Sequence, residues 1–281
     1  MGETGRPGAE DTGQGAPEDP GADPSGCIPA AGADEPSLRP RGLVDLRGPA
    51  EVPAGLSLSY PAGAVVVVSG LPGSGKSTLL RRWSAAAPVV DPRDVHVACE
   101  AVMPARLPYA VYRPWARLEH FRWLRSAVRE GGPFLVHDCG SRAWMRRWLA
   151  RTAGRQGREL HLVLLDVGAA EALAGQQARG RWARERVFTR HRRGLGRLLR
   201  ALSAEAASPD RAGAGARVAA VPEAASVVLL DRTSRARMAA VEFDDPAGGQ
   251  RAAMAGGFFP TPPLPELSSI AGRAEISPSG D

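Results

Sequence analysis

Lysine is almost absent from this chain: of its 36 strongly basic side chains, only Lys76 is not an arginine. Ala, Gly, Pro and Arg are abundant, a bias that matches a GC-rich genome and makes the single surviving lysine informative. Cysteine is also scarce. Cys27, Cys99 and Cys139 are odd in number, far apart and without a C-x-x-C pair, and none of the five histidines falls at zinc spacing. Neither a disulfide framework nor structural zinc is therefore indicated. No apolar run reaches membrane-spanning length, and no basic-then-apolar export signal opens the sequence. Arg6 stands where a myristoylation signal needs Ser or Thr. These absences lead us to expect a reducing, cytoplasmic setting and no membrane partner. Large apolar side chains are nearly missing from residues 1–45, which reads as a disordered acidic Gly/Pro-rich tail. Residues 246–281, with Phe258-Phe259-Pro260-Thr261-Pro262-Pro263, read as a disordered Pro-rich tail. Residues 46–245 are left as one domain, more basic than the chain as a whole, which suits acidic ligands.

The lone lysine sits in Gly70-Leu71-Pro72-Gly73-Ser74-Gly75-Lys76-Ser77-Thr78, a complete G-x-x-x-x-G-K-[ST] phosphate-binding loop. A compact ammonium on a flexible stem reaches between phosphate oxygens where a planar guanidinium cannot. The context agrees. Ala64 to Ser69 is a β-branched apolar run, as in a buried parallel strand, and Ser77 to Trp83 reads as the first turns of a helix. Gly70, Gly73 and Gly75 let backbone N–H groups converge on one spot, to which the helix N-terminus adds positive potential. Pro72, Ser74 and Thr78 complete the nucleotide-binding set. Lys76 would contact the β- and γ-phosphates, and Ser77 Oγ would ligate Mg²⁺.

Beyond the loop, apolar strands alternate with helices. Strands are expected at 88–91, 134–138, 160–166 and 226–230, and helices at 114–129, 142–153, up to about 178, and 185–204. Trp144 and Trp148 read as core. This pattern predicts an α/β fold, three-layered α/β/α, with a parallel sheet of about five strands and ligands at the strands' carboxyl ends.

A guanine-specificity N-K-x-D motif is impossible with one lysine, which favours adenine, hence ATP. Asp138 is followed by Cys139 rather than Glu, unlike the water-activating arrangement of AAA+ motors. From Ala64 to Asp231 the chain resembles the polynucleotide-kinase-like and zeta-toxin-like P-loop kinases, a group often labelled AAA family ATPases. The resemblance rests on the loop, an acid after the second strand, Asp138 ending the third, and an arginine-rich helical lid beginning Arg179-Gly180-Arg181. It implies an ATP- and Mg²⁺-dependent phosphotransferase with an acceptor bearing a hydroxyl or an anionic group. Asp91 or Asp94 would deprotonate the attacking hydroxyl. Asp91 has Arg93 at the group's spacing but with Pro92 between, whereas Asp94 is followed by His96; both also suit a turn or cap. Asp138 would hold the Mg²⁺ hydration shell or a substrate hydroxyl, or cap the next helix, as Ser141 equally could. Arg179 and Arg181 would bring a guanidinium to the charge developing on the γ-phosphoryl. Arg186, Arg190, Arg193, Arg197 and Arg200 form one helical stripe, a solvated face or a nucleic-acid contact. Tyr109, Tyr112 and Arg113 would shape the acceptor site or simply pack. Asp231-Arg232-Thr233 marks an adenine-side loop or a strand-end turn. Competing readings are a nucleotide-gated regulatory switch and a polynucleotide 5′-kinase.

Overall fold

Four consecutive valines form the centre of the molecule's main sheet. In the computed structural model, which describes residues 36–48, 52–138, 143–178, 180, 185–208 and 217–245, Val65 to Val68 are fully buried. Successive side chains of a strand point to opposite faces. Val65 and Val67 accordingly join one core cluster while Val66 and Val68 join another. A strand covered on both faces has no room for polar alternation, which is why the run reads as continuous.

The strands are β1 (Ser37–Leu38), β2 (Gly42–Asp45), β3 (Leu56–Tyr60), β4 (Val65–Gly70), β5 (Val89–Val90), β6 (Phe134–His137), β7 (Leu160–Leu165), β8 (Ser226–Leu230) and β9 (Met238–Phe243). The helices are α1 (Lys76–Trp83), α2 (Pro92–Val102), α3 (Tyr109–Glu130), α4 (Ala143–Gly154), α5 (Ala169–Gln177), α6 (Glu185–Ala206) and α7 (Arg232–Arg237). The main sheet has six strands in the order β2-β8-β7-β4-β6-β5, and every pairing is parallel. Val65 to Gly70 lie beside Leu160 to Leu165, while Val65 to Val68 lie beside Phe134 to His137. The expected α/β fold is present, with one strand more than the expected five or so.

One face of the sheet packs against Leu124 and Val128 of α3, Met145 and Leu149 of α4, and Phe188, Leu195 and Leu202 of α6. The other packs against Leu79, Leu80 and Trp83 of α1, together with Leu58, Tyr60, Met238 and Val241. Those last four belong to β3 and β9, which with β1 make a second, three-stranded parallel sheet. This sheet was not foreseen, because its strands come from opposite ends of the domain and are short.

Several expectations need correction. Strands begin at Ser37, ahead of the expected domain start at 46, because Leu43 and Val44 bring β2 onto the edge of β8 and Leu38 packs on the second core. The tails at 1–35 and 246–281 lie outside the described residues. The helix expected from Pro114 begins at Tyr109 and carries Pro114 in its second turn, where the ring forfeits the hydrogen bond an N–H would donate to the Ala110 carbonyl. Trp144 is half exposed, stacked on Phe121 with ring centroids 5.2 Å apart, while Trp148 is only partly buried. Helix α2 was not anticipated. Among the described residues no helix is long and apolar enough to cross a membrane.

Candidate active site

The carboxyl edge of the main sheet is built by chain geometry. All six strands run the same way, so the loop after β4 opens at the same edge as the residues that close β5, β6, β7 and β8. Gly73 and Gly75 both have φ of +90°, a left-handed conformation that favours glycine. Space makes the same demand. A Cβ on Gly73 would fall 2.0 Å from the Ala172 carbonyl oxygen, and one on Gly75 would fall 2.4 Å from Arg235 Nη1. Helix α1 starts at Lys76 with no side-chain cap and no acid in its first turn, so its N-terminal N–H groups face an anion without a competing carboxylate. Lys76 is 3% exposed and folds back over the loop, donating to the carbonyls of Gly70 at 2.9 Å and Leu71 at 2.8 Å. Ser74 Oγ is buried without a hydrogen-bond partner. A glycine-walled cradle with an orphaned hydroxyl, a lysine and an uncapped helix start fits the phosphates of a nucleotide. Ser77 and Thr78 stand in the first turn of α1.

Two side chains that the sequence reading missed hold this loop in place. Gln176 Nε2 donates to the Pro72 carbonyl at 3.2 Å, and Arg235 Nη1 donates to the Ser74 carbonyl. Gln176 comes from α5 and Arg235 from α7, both remote from the motif in sequence. Only the glycine demand at positions 73 and 75 hinted that something packs there.

Asp138 follows β6, the strand beside β4. It is 4% exposed, accepts from Ser69 Oγ at 3.1 Å, and its N–H donates to the Val68 carbonyl at 2.9 Å. That places it against the residue preceding the loop. A carboxylate and a serine hydroxyl, with substrate phosphates, match how Mg²⁺ is usually held, by few protein ligands. Among the described residues there is no cluster of three or more His, Cys, Asp or Glu.

The two acids after β5 are now distinguishable. Asp91 caps α2: its side chain accepts from the Arg93 N–H at 2.8 Å and meets His137 Nδ1 at 3.1 Å. Burial alone would push its pKa up, but the His137 hydrogen bond and charge and the Arg93 N–H outweigh this and hold it below the usual carboxylate range. Asp94 is half-buried on α2, and its carboxylate has no hydrogen bond or ion pair among the described residues. Burial, and then the neighbouring Asp91 charge, raise its pKa. Two residues further along α2, His96 meets Tyr109 in a tilted contact with ring centroids 4.3 Å apart, and Tyr109 meets Tyr112 edge-to-face at 5.2 Å. Arg113 is exposed. Arg179, Arg181, Cys139 and Ser141 lie outside the described residues. The stripe of Arg186, Arg190, Arg193, Arg197 and Arg200 is exposed along α6.

The other flank of the edge is differently wired. Arg47 bridges Asp45 and Asp166, at 2.6 Å each, and bonds Ser203 Oγ at 3.0 Å. Asp231 caps α7 in a reciprocal box with Ser234 and accepts from the Gly48 N–H at 2.9 Å. Asp231 is thus a strand-end cap.

Residues 65–202 match the family model described as an AAA domain. No curated protein matches the chain. Among solved structures, one from the PezAT toxin–antitoxin system of Streptococcus pneumoniae is 12% identical over 44% of this chain and 55% of that chain, with a TM-score of 0.36. A Deinococcus radiodurans tunicamycin resistance protein is 18% identical over 51% of this chain and 95% of that one, with a TM-score of 0.34. A Sinorhizobium meliloti gluconokinase is 16% identical over 64% and 95%, with a TM-score of 0.32. Likenesses this distant carry no argument about substrate. The match over residues 65–202, the all-parallel main sheet and the glycine loop leading into α1 are consistent with the P-loop kinase-like group that the sequence resembles.

Proposed function

We propose that this protein is a Mg²⁺-dependent phosphotransferase that moves the γ-phosphoryl group of ATP to a hydroxyl-bearing or anionic acceptor in the cytoplasm. The observation that carries the reading is Asp94. It is a half-buried carboxylate with raised pKa and no hydrogen bond or ion pair among the described residues, at the same sheet edge as the phosphate loop. A structural acid would be capped or paired, as its neighbour Asp91 is. A base that must take a proton is better left unpaired with its pKa raised.

In this scheme the loop N–H groups and the start of α1 hold the β- and γ-phosphates, and Lys76 swings from the Gly70 and Leu71 carbonyls onto their oxygens. Ser77 Oγ and Asp138 would hold Mg²⁺, which supplies charge neutralisation of the β- and γ-oxygens when bound. Asp94 accepts the proton of the attacking hydroxyl, while Asp91, tied to His137, orients the start of α2. The Tyr109–Tyr112 cluster forms the apolar wall of the acceptor pocket. Gln176 touches the loop, and Arg179-Gly180-Arg181 follows it closely in sequence, which favours an action of that segment on the γ-phosphoryl. We assign Arg179 and Arg181 the role of closing over it.

The test is turnover of γ-labelled ATP with Mg²⁺ against pooled nucleosides, sugars and 5′-hydroxyl oligonucleotides, with Lys76→Ala as blank. Label on an acceptor, lost in the variant, supports the reading. Nucleotide binding without acceptor-dependent turnover would replace it with a nucleotide-gated switch. Label on oligonucleotides alone would make the exposed α6 arginine stripe the acceptor track.

A further inference from the structure

The amino edge of the main sheet, opposite the phosphate loop, holds a cavity of about 570 Å³. It opens where β2, β7 and β8 begin, at Gly42, Leu160 and Ala225, and one wall is α4 through Ala150. Six arginines line it: Arg39, Arg41, Arg147, Arg151, Arg158 and Arg217. Among the described residues the only acids of its lining are Glu159 and Glu223, and Glu223 already faces the buried Arg146 guanidinium at 3.3 Å.

The arginines divide by what they already do. Arg158 is 9% exposed and donates to the Gly63 carbonyl at 2.6 Å, the Val128 carbonyl at 2.9 Å and the Gly132 carbonyl. Its hydrogen bonds are met by neutral oxygens, and among the described residues no carboxylate pairs its charge. Arg39 pairs with Asp244. The guanidinium groups of Arg41, Arg151 and Arg217 have no ion pair or hydrogen bond among the described residues. His161, on the same wall, is 2% exposed; its Nδ1 meets Ser226 Oγ at 2.8 Å, and its Nε2 has no hydrogen bond and lies 3.8 Å from Glu159 Oε2. A concavity with buried, uncompensated positive charge, several unpaired guanidinium forks and an unsatisfied buried ring nitrogen has the chemistry of an anion site. Its volume lies in the range of about 300–1,000 Å³ that suits a small molecule rather than a polymer track. A six-residue strand separates it from the phosphate loop by roughly 20 Å.

We propose that this cavity is a second anion site, distinct from the nucleotide site, which binds a small molecule carrying two or more phosphate groups through Arg41, Arg151 and Arg217. The proposal stands independently of the phosphotransferase reading.

The probe is inorganic pyrophosphate, titrated calorimetrically without divalent cation into the full chain whose nucleotide site is filled with a non-hydrolysable ATP analogue. One equivalent should bind, and the combined change Arg41→Gln and Arg217→Gln should weaken binding at least tenfold. Binding of the ATP analogue should be unchanged, which also shows that the variant folds. Arg151→Lys, which keeps the charge but loses the fork, should give an intermediate loss, and Lys76→Ala should leave pyrophosphate binding intact. Absence of binding, indifference to the arginine changes, or loss with Lys76→Ala would each overturn the proposal. So would displacement of pyrophosphate by a 12-nucleotide single strand that binds more tightly, which would make the cavity part of a nucleic-acid surface.

Discussion

On the two sides of the phosphate loop, the aspartates at and just beyond the strand ends are used differently. Five of the six strands of the main sheet end on or run directly into an aspartate: Asp45, Asp231 and Asp166 on the β2-β8-β7 side, Asp138 and Asp91 on the β6-β5 side. On the first side the charges are cancelled internally. Arg47 spans Asp45 and Asp166, whose carboxylates in turn raise its pKa, and Asp231 is held low by N–H donors that outweigh its burial. On the second side Asp91 is consumed in capping α2, but Asp94 keeps an unpaired carboxyl with a raised pKa. Matched charges fix a scaffold; an unmatched one at a sheet edge is poised for chemistry.

The contrast breaks most sharply at the loop between the two sides. Replacing Lys76 by Ala should lower turnover at least a hundredfold and weaken ATP binding, measured by nucleotide titration, with the fold retained. Next comes the base. Asp94→Asn should cost on the order of 10²–10⁴ in acceptor-dependent turnover, the usual scale for a general base, with ATP affinity unchanged. Asp91→Asn should instead keep most turnover and lose about 1 kcal/mol or less of stability in urea, since Asn still caps but no longer carries charge for His137.

The pH dependence should follow. Transfer needs ionised Asp94, so activity should fall as pH drops through a pKa raised from the ordinary aspartate value. Asp91→Asn removes one cause of that elevation, and its acid limb should move to lower pH; an unmoved limb would separate Asp94 from the rate. On the scaffold side, Arg47→Ala strands two half-buried carboxylates and should cost about 2 kcal/mol of stability. Turnover per folded molecule should remain near wild type.

Much of the fold and the loop was legible because local rules agreed there. The valine run, the glycines and Lys76 each point to one structure, and Asp138 was placed by its position at the end of an apolar strand. What stayed hidden depends on contacts distant in sequence. β3 and β9 pair across most of the domain, Gln176 and Arg235 reach the loop from helices far along the chain, and Arg47 gathers acids from two strands. Asp91 and Asp94 could not be told apart because both suit a helix start; only the His137 and Arg93 contacts show which one is occupied. Trp144 misled because helical spacing marks a face without saying whether that face is covered.

The most direct test of the central claim compares label transfer from γ-labelled ATP in wild type, Asp94→Asn and Asp91→Asn, with an acceptor identified from the pool. The account predicts that transfer collapses in Asp94→Asn and largely survives in Asp91→Asn, while all three proteins bind ATP alike. Full transfer by Asp94→Asn, or collapse only in Asp91→Asn, would contradict it.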